Sequence, residues 1–202
     1  MHSMSQIASI VGLNTLDVMV LYSYGSRVYG TERPDSDYDY VIVTDKEGFV
    51  SEQGETAELS VQAYHIDEWK KLLERHDIMA MECNFSPYDD LTLPFTLSKG
   101  TLRSSISKVA SNSWVKCKKK LTVEEDARLV GIKSLFHSFR IPMFGIQIAT
   151  TGGIYDYSCA NDLWKEMEPL IESDTTWEEI YEIYKPRHNE LMTEFRKVAE
   201  KE

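Results

Sequence analysis

The residues best suited to chemistry lie between Gly25 and Tyr40, in the run GSRVYGTERPDSDYDY. Gly25 and Gly30 have the spacing of a phosphate-binding P-loop, but Thr31 stands where that loop needs its lysine. A calcium loop started at Asp35 would place Tyr40 and Lys46 where a glycine and a bidentate glutamate are required. The third reading is a two-metal phosphoryl-transfer site. Asp37 and Asp39 are separated by one residue, so on a strand both carboxylates face the same way. Two like charges held together are costly until cations neutralise them, and Mg²⁺ is bound by a few carboxylates together with phosphate oxygens. Ahead of the pair, the small Gly25-Ser26 step lets backbone N–H groups and a hydroxyl approach a triphosphate. A bare Asp-x-Asp would read as a polar turn with an exposed strand residue. The upstream apolar run, the Gly-Ser step, the ten-residue spacer and the apolar run that follows favour the metal reading.

Elements must hold these residues in place. Leu16 to Tyr24 (LDVMVLYSY) is apolar and β-rich and reads as a buried strand ending at Gly25. SRVYG can open a helix, and TERPDS carries the Pro and Asp of a turn. Tyr38 to Val43 (YDYVIV) is a second strand, stopped by the polar DKEG. A third strand is expected over Glu58 to Tyr64, then a helix with Ile66, Trp69, Leu72 and Leu73 on one face, ending near His76. Beyond about Thr101 the period is helical. Leu129, Ile132, Leu135, Phe136 and Phe139 form one stripe that Pro142 should stop; Leu163, Trp164, Met167 and Leu170 form another. TTWEE offers a capping box, Thr175 with Glu178 or Thr176 with Glu179, and Pro186 is a candidate start for a last helix. Strands first and helices later means α+β: a small mixed β-sheet core over 1–100 and a C-terminal helical lobe over 101–202, packed as one compact unit.

A strand, Gly-Ser, a spacer and Asp-x-Asp flanked by apolar residues resembles the DNA polymerase β-like nucleotidyltransferase superfamily. The form GSRVYGT…DSDYDY is most similar to its small bacterial and phage members. The similarity continues through AYHIDEWKKLL, MECNFSP and GIKSLFHSFR…GGIYD. The resemblance implies that Gly25 and Ser26 hold the β- and γ-phosphates of an NTP such as ATP, and that Asp37 and Asp39 bind two Mg²⁺ (or Mn²⁺). A nucleoside monophosphate would pass to an acceptor hydroxyl as pyrophosphate leaves. The acceptor would be an RNA 3′ end, a protein or a small molecule. It also implies a third metal-binding catalytic carboxylate on a neighbouring strand. Glu58 is the candidate, although a match anchored on the tyrosines would place that acid nearer Ser60. Glu82 in MECNFSP reads as structural.

Lys133, His137 and Arg140 fall at i, i+4 and i+7 and share a helix face. They are candidates to grip the triphosphate, as a lysine does in relatives, with a solvated helix face as the plain alternative. Arg27 is placed to reach phosphate or to sit in a surface turn. The run Lys116 to Lys120 beside Trp114 combines charge with an aromatic ring, as a single-stranded acceptor requires.

Composition narrows the classes. The chain has 202 residues, a formal net charge of −11, 42% hydrophobic and 27% charged residues, which excludes disorder and low-complexity character. The acidic sum speaks against a general nucleic-acid coat protein, yet between Leu91 and Val123 seven Lys or Arg occur with no acid. No apolar run approaches the roughly 18 residues of a bilayer span, and no export leader is expected. Cys83, Cys117 and Cys159 are too scattered for a disulfide framework or a CxxC metal site, so a reducing cytoplasm is expected. The expectation is a metal-dependent nucleotidyltransferase. Its competitors are a non-catalytic nucleotide-binding or regulatory module and a nucleic-acid-binding accessory protein on the same fold.

Overall fold

The structure is a computed structural model that describes residues 2–87, 92–124 and 127–200. Leu91, where the basic window opens, lies outside them. The chain divides into two units, Met1–Thr96 and Leu97–Glu202. The second opens on its first long helix, which Ser98 caps by accepting the Thr101 N–H at 3.2 Å.

In the first unit, α1 (Met4–Ile10) begins with a capping box between Ser3 and Gln6. The strands are β1 (Val20–Tyr24), β2 (Tyr38–Thr44), β3 (Glu52–Glu55) and β4 (Leu59–His65), in spatial order β1-β2-β4-β3. β1 runs antiparallel to β2, β2 parallel to β4, and β3 antiparallel to β4, so the sheet is mixed. The strand expected from Leu16 begins only at Val20. Asn14 caps a 3₁₀ turn over Thr15–Asp17 by accepting the Leu16 N–H, which leaves Leu16 almost fully exposed. β3 was not expected at all, because its sequence EQGE has no apolar alternation. It is an edge strand paired by backbone alone, and a Cβ on its Gly54 would lie 2.7 Å from the Ile10 carbonyl oxygen.

Alternation along the strands divides the sheet into two faces. Val20, Tyr22, Val41 and Val43 pack with Trp69, Leu73, Ala80 and Cys83 from α3 (Ile66–Glu74) and α4 (Ile78–Asn84). Tyr22 stacks on Trp69 at 5.7 Å. Ile42, Val61 and Ala63 on the other face pack with Ile7, Ala8 and Val11 around α1. Both faces are therefore covered along the middle of β2, Asp39 lies at its N-terminal end, and Asp37 just precedes it.

The second unit contains α5 (Lys99–Thr122), α6 (Arg128–Thr151), α7 (Asn161–Met167), a 3₁₀ turn over Glu168–Ile171, and α8 (Trp177–Val198). Two expectations about proline are corrected. Pro142 does not stop α6, which is buried along most of its length so that packing offsets one lost hydrogen bond. Pro186 does not start α8. The capping box of Thr176 and Glu179 starts it nine residues of helix earlier, and Pro186 lies on the exposed side where water can satisfy the released carbonyl. The core joins Trp114 and Cys117 of α5 to Leu135, Phe136 and Phe139 of α6 and to Trp177, Ile180 and Tyr184 of α8. Among the described residues no helix is long and apolar enough to cross a membrane.

Candidate active site

The site is built where β1 ends. Tyr24 pairs with Asp39 across the antiparallel ladder, so the chain leaves the sheet at Gly25 beside the Asp39 carboxylate. Gly25 has φ 81°, in the left-handed region that other residues avoid. A Cβ built on it would stand 2.0 Å from Asp39 Oδ2 and 2.8 Å from its Cγ. Only glycine fits, for reasons of both conformation and space. The chain then makes α2 (Ser26–Tyr29), a single turn closed by Gly30 at φ 73°.

Asp39 is the second residue of β2 and is half-buried; Asp37 stands just ahead of the strand and is exposed. The loop leading to them is folded back onto α2 by Arg27. Its Nε donates to the Asp37 carbonyl at 3.2 Å, its Nη2 to the Ser36 carbonyl at 2.5 Å, and its guanidinium lies 3.8 Å from the centre of the Tyr38 ring. Thus Arg27 is engaged in holding the aspartate loop, a role that its position in the sequence did not disclose.

The parallel register between β2 and β4 sets Ser60 beside Asp39. Glu58 is not brought into that place. It precedes β4, its carbonyl accepts the Tyr38 N–H at 2.8 Å, and its exposed carboxylate lies 3.6 Å from His2 Nε2. Among the described residues no three of His, Cys, Asp or Glu converge as a metal cluster. The ladder sets Asp39 and Ser60 side by side, with Asp37 two residues ahead of Asp39 in the chain. That set fits Mg²⁺, which takes one or two carboxylates and completes its shell with water and substrate phosphate.

On α6 in the second unit, Lys133, His137 and Arg140 do lie together. Arg140 Nε and Nη2 are each 3.4 Å from His137 Nδ1. Burial, then the charges of Arg140, Lys133 and Lys116, pull the His137 pKa down to about 3, so this imidazole is neutral and accepts from Arg140. Lys133 is half-buried, whereas Arg140 is only 2% exposed and lies over Phe144. Trp114 is buried against Phe139, Trp177 and His188, so it is not available to stack on a base beside the Lys116–Lys120 run. Within that run, Lys119 and Lys120 both pair with Glu124.

Residues 5–108 match the family model of the nucleotidyltransferase domain, a span that contains Gly25, Ser26, Asp37 and Asp39. The chain belongs to the nucleotidyltransferase domain family. Lys133, His137 and Arg140 lie beyond the matched span. No curated protein matches the chain significantly. Among solved structures it is similar to a nucleotidyltransferase-like protein from Exiguobacterium sibiricum 255-15. The identity is 7% and the TM-score 0.32, over 92% of this chain and 69% of that one, a likeness too distant to carry an argument. As a nucleotidyltransferase domain, the first unit accounts for the mixed sheet, the Gly-Ser step and the paired aspartates together.

Proposed function

We propose that this protein transfers a nucleoside monophosphate from an NTP to an acceptor hydroxyl, with release of pyrophosphate, in a reaction dependent on Mg²⁺ or Mn²⁺. The observation that carries the reading is the Asp39 carboxylate set against a left-handed Gly25, with Asp37 two residues ahead of it. Membership of the nucleotidyltransferase domain family supports it.

Asp37 and Asp39 would hold the divalent cation, which on binding neutralises phosphate charge and makes an acceptor hydroxyl easier to deprotonate. Gly25 allows the phosphates close to the backbone, and Ser26 offers a hydroxyl and an N–H at the first position of α2, where no acceptor exists within the helix. Arg27 keeps the Ser36–Asp37 segment in place, so the carboxylates need no reorganisation as charge builds in the transition state. The acceptor classes are an RNA 3′ end, a protein hydroxyl and a small molecule.

A second reading has its own support in Ser60. With a hydroxyl instead of a carboxylate beside Asp39, the fold would bind Mg-NTP without turning it over. Transfer from α-phosphate-labelled ATP, GTP, CTP and UTP, with Mg²⁺ or Mn²⁺, decides between them. RNA, the protein itself and a metabolite extract serve as acceptors, with Asp39→Asn as control. Label that moves with the wild type and not with the variant establishes transfer; Mg-NTP binding without any transfer establishes the second reading.

A further inference from the structure

The single turn that carries Ser26 cannot hold itself. Four residues of helix make too few hydrogen bonds to offset the nucleation cost, α2 has no side-chain N-cap, and left-handed glycines at both ends loosen it further. Something outside the turn must fix it. On one side Arg27 does so through the aspartate loop. On the other side, Tyr29 is 3% exposed and its hydroxyl donates to Glu82 Oε2. Glu82 lies in α4, 53 residues further along the chain, and is itself only 2% exposed.

A carboxyl group in such a place is costly unless its hydrogen bonds compensate, and an apolar side chain would fill the volume without that cost. α4 is itself well anchored. Asp77 caps it by accepting the Met79 and Ala80 N–H groups at 3.0 and 3.2 Å, and its Ala80 and Cys83 are packed into the core beneath the sheet. The Tyr29 ring also meets Tyr24, the last residue of β1, edge to face at 6.2 Å. Tyr29 is therefore a strut from the core of the first unit to the turn that begins at Gly25.

We infer that Glu82 is a positioning residue for phosphate binding: through Tyr29 it holds the Gly25–Ser26 turn at the height the phosphates need, and it touches no substrate. This rests on the assignment of that turn to the phosphates. The role predicts coupling, because either partner without the other leaves the strut undone.

The test is the affinity of the full chain for Mg²⁺-tripolyphosphate by titration calorimetry, well below the melting temperature, which is measured for each variant. Tyr29→Phe and Glu82→Leu should each weaken binding about tenfold, since a small displacement of a positioned group has a large effect. The double variant should be no weaker than either alone. Glu82→Gln, whose amide oxygen still accepts from Tyr29, should bind within about threefold of the wild type. Lower melting temperatures with unchanged affinity would overturn the positioning role, because a purely structural pair moves stability alone. A wild type that does not bind tripolyphosphate would overturn the phosphate assignment as well. Wild-type binding that Asp39→Asn abolishes and Tyr29→Phe leaves intact would overturn the strut only.

Discussion

Ser60 stands beside Asp39 in the parallel ladder of β2 and β4, where a third metal carboxylate would complete the site. Glu58, the acid nearest to it in β4's approach, is turned to solvent and to His2. If the cation depends on two carboxylates, Ser60→Asp should raise Mn²⁺ affinity about tenfold by adding a charged oxygen ligand. Glu58→Gln should leave it within about twofold, as expected for an exposed charge. Titration calorimetry with Mn²⁺ reads both, and a large loss in Glu58→Gln would return that residue to the site.

Gly25→Ala should fold and fail. The new methyl group would occupy the space of Asp39 Oδ2 in a backbone conformation that alanine resists, at a cost of about 1–3 kcal/mol. Label transfer should fall at least about a hundredfold because the displaced group is the carboxylate itself. Circular dichroism and a transfer assay on the same preparation separate the two effects.

Acid should destabilise the helical unit through His188. Burial, then the charges of Lys185 and Arg196, lowers its pKa to about 4, with the Ser138 backbone compensating in part. Neither ring nitrogen makes a well-formed hydrogen bond, and the ring packs against Trp114 and Phe139. The unfolded chain takes up this proton near pH 6.5 and the folded chain only near 4, so stability is complete above about 6.5 and falls between those values. The loss reaches about 3 kcal/mol at the lower end. His137 has the same sign. Thermal melts from pH 7.5 to 4.5 should show a drop that His188→Phe makes shallower; equal slopes would remove His188 as its source.

Arg128 closes the loop ahead of α8. It donates to the Leu170 carbonyl at 2.7 Å, the Thr175 carbonyl at 2.9 Å and Ser173 Oγ at 3.1 Å. Arg128→Met should cost about 2–3 kcal/mol, because two carbonyls lose a charged donor. Urea unfolding should show a lower midpoint, and Lys119→Met, on an exposed ion pair, should change it little.

The strand that begins beside the aspartates was legible because YDYVIV carries its β character in neighbouring residues, although β2 takes up the chain only at Tyr38 and leaves Asp37 ahead of it. TTWEE showed for a similar reason that a capping box lay there, since its hydrogen bonds close within one turn, but left Thr175–Glu178 and Thr176–Glu179 open, and the structure has the second. The prolines misled. Whether Pro142 breaks a helix depends on burial around it, and Pro186 on which face meets water, and both are properties of packing. β3 was invisible because backbone pairing alone holds an edge strand of polar residues.

What the sequence determined by itself is local: the strand-turn-strand around GSRVYG and DSDYDY, and the helical character of the second half. Tertiary structure decided between Glu58 and Ser60, which the sequence had left open, by setting Ser60 beside Asp39, and it alone showed that Arg27 grips the aspartate loop and that Tyr29 reaches Glu82. Each of these depends on register or on a contact between segments distant in the chain. Short-range periodicity carries no information about either, because register and long-range contact are set by how whole elements pack.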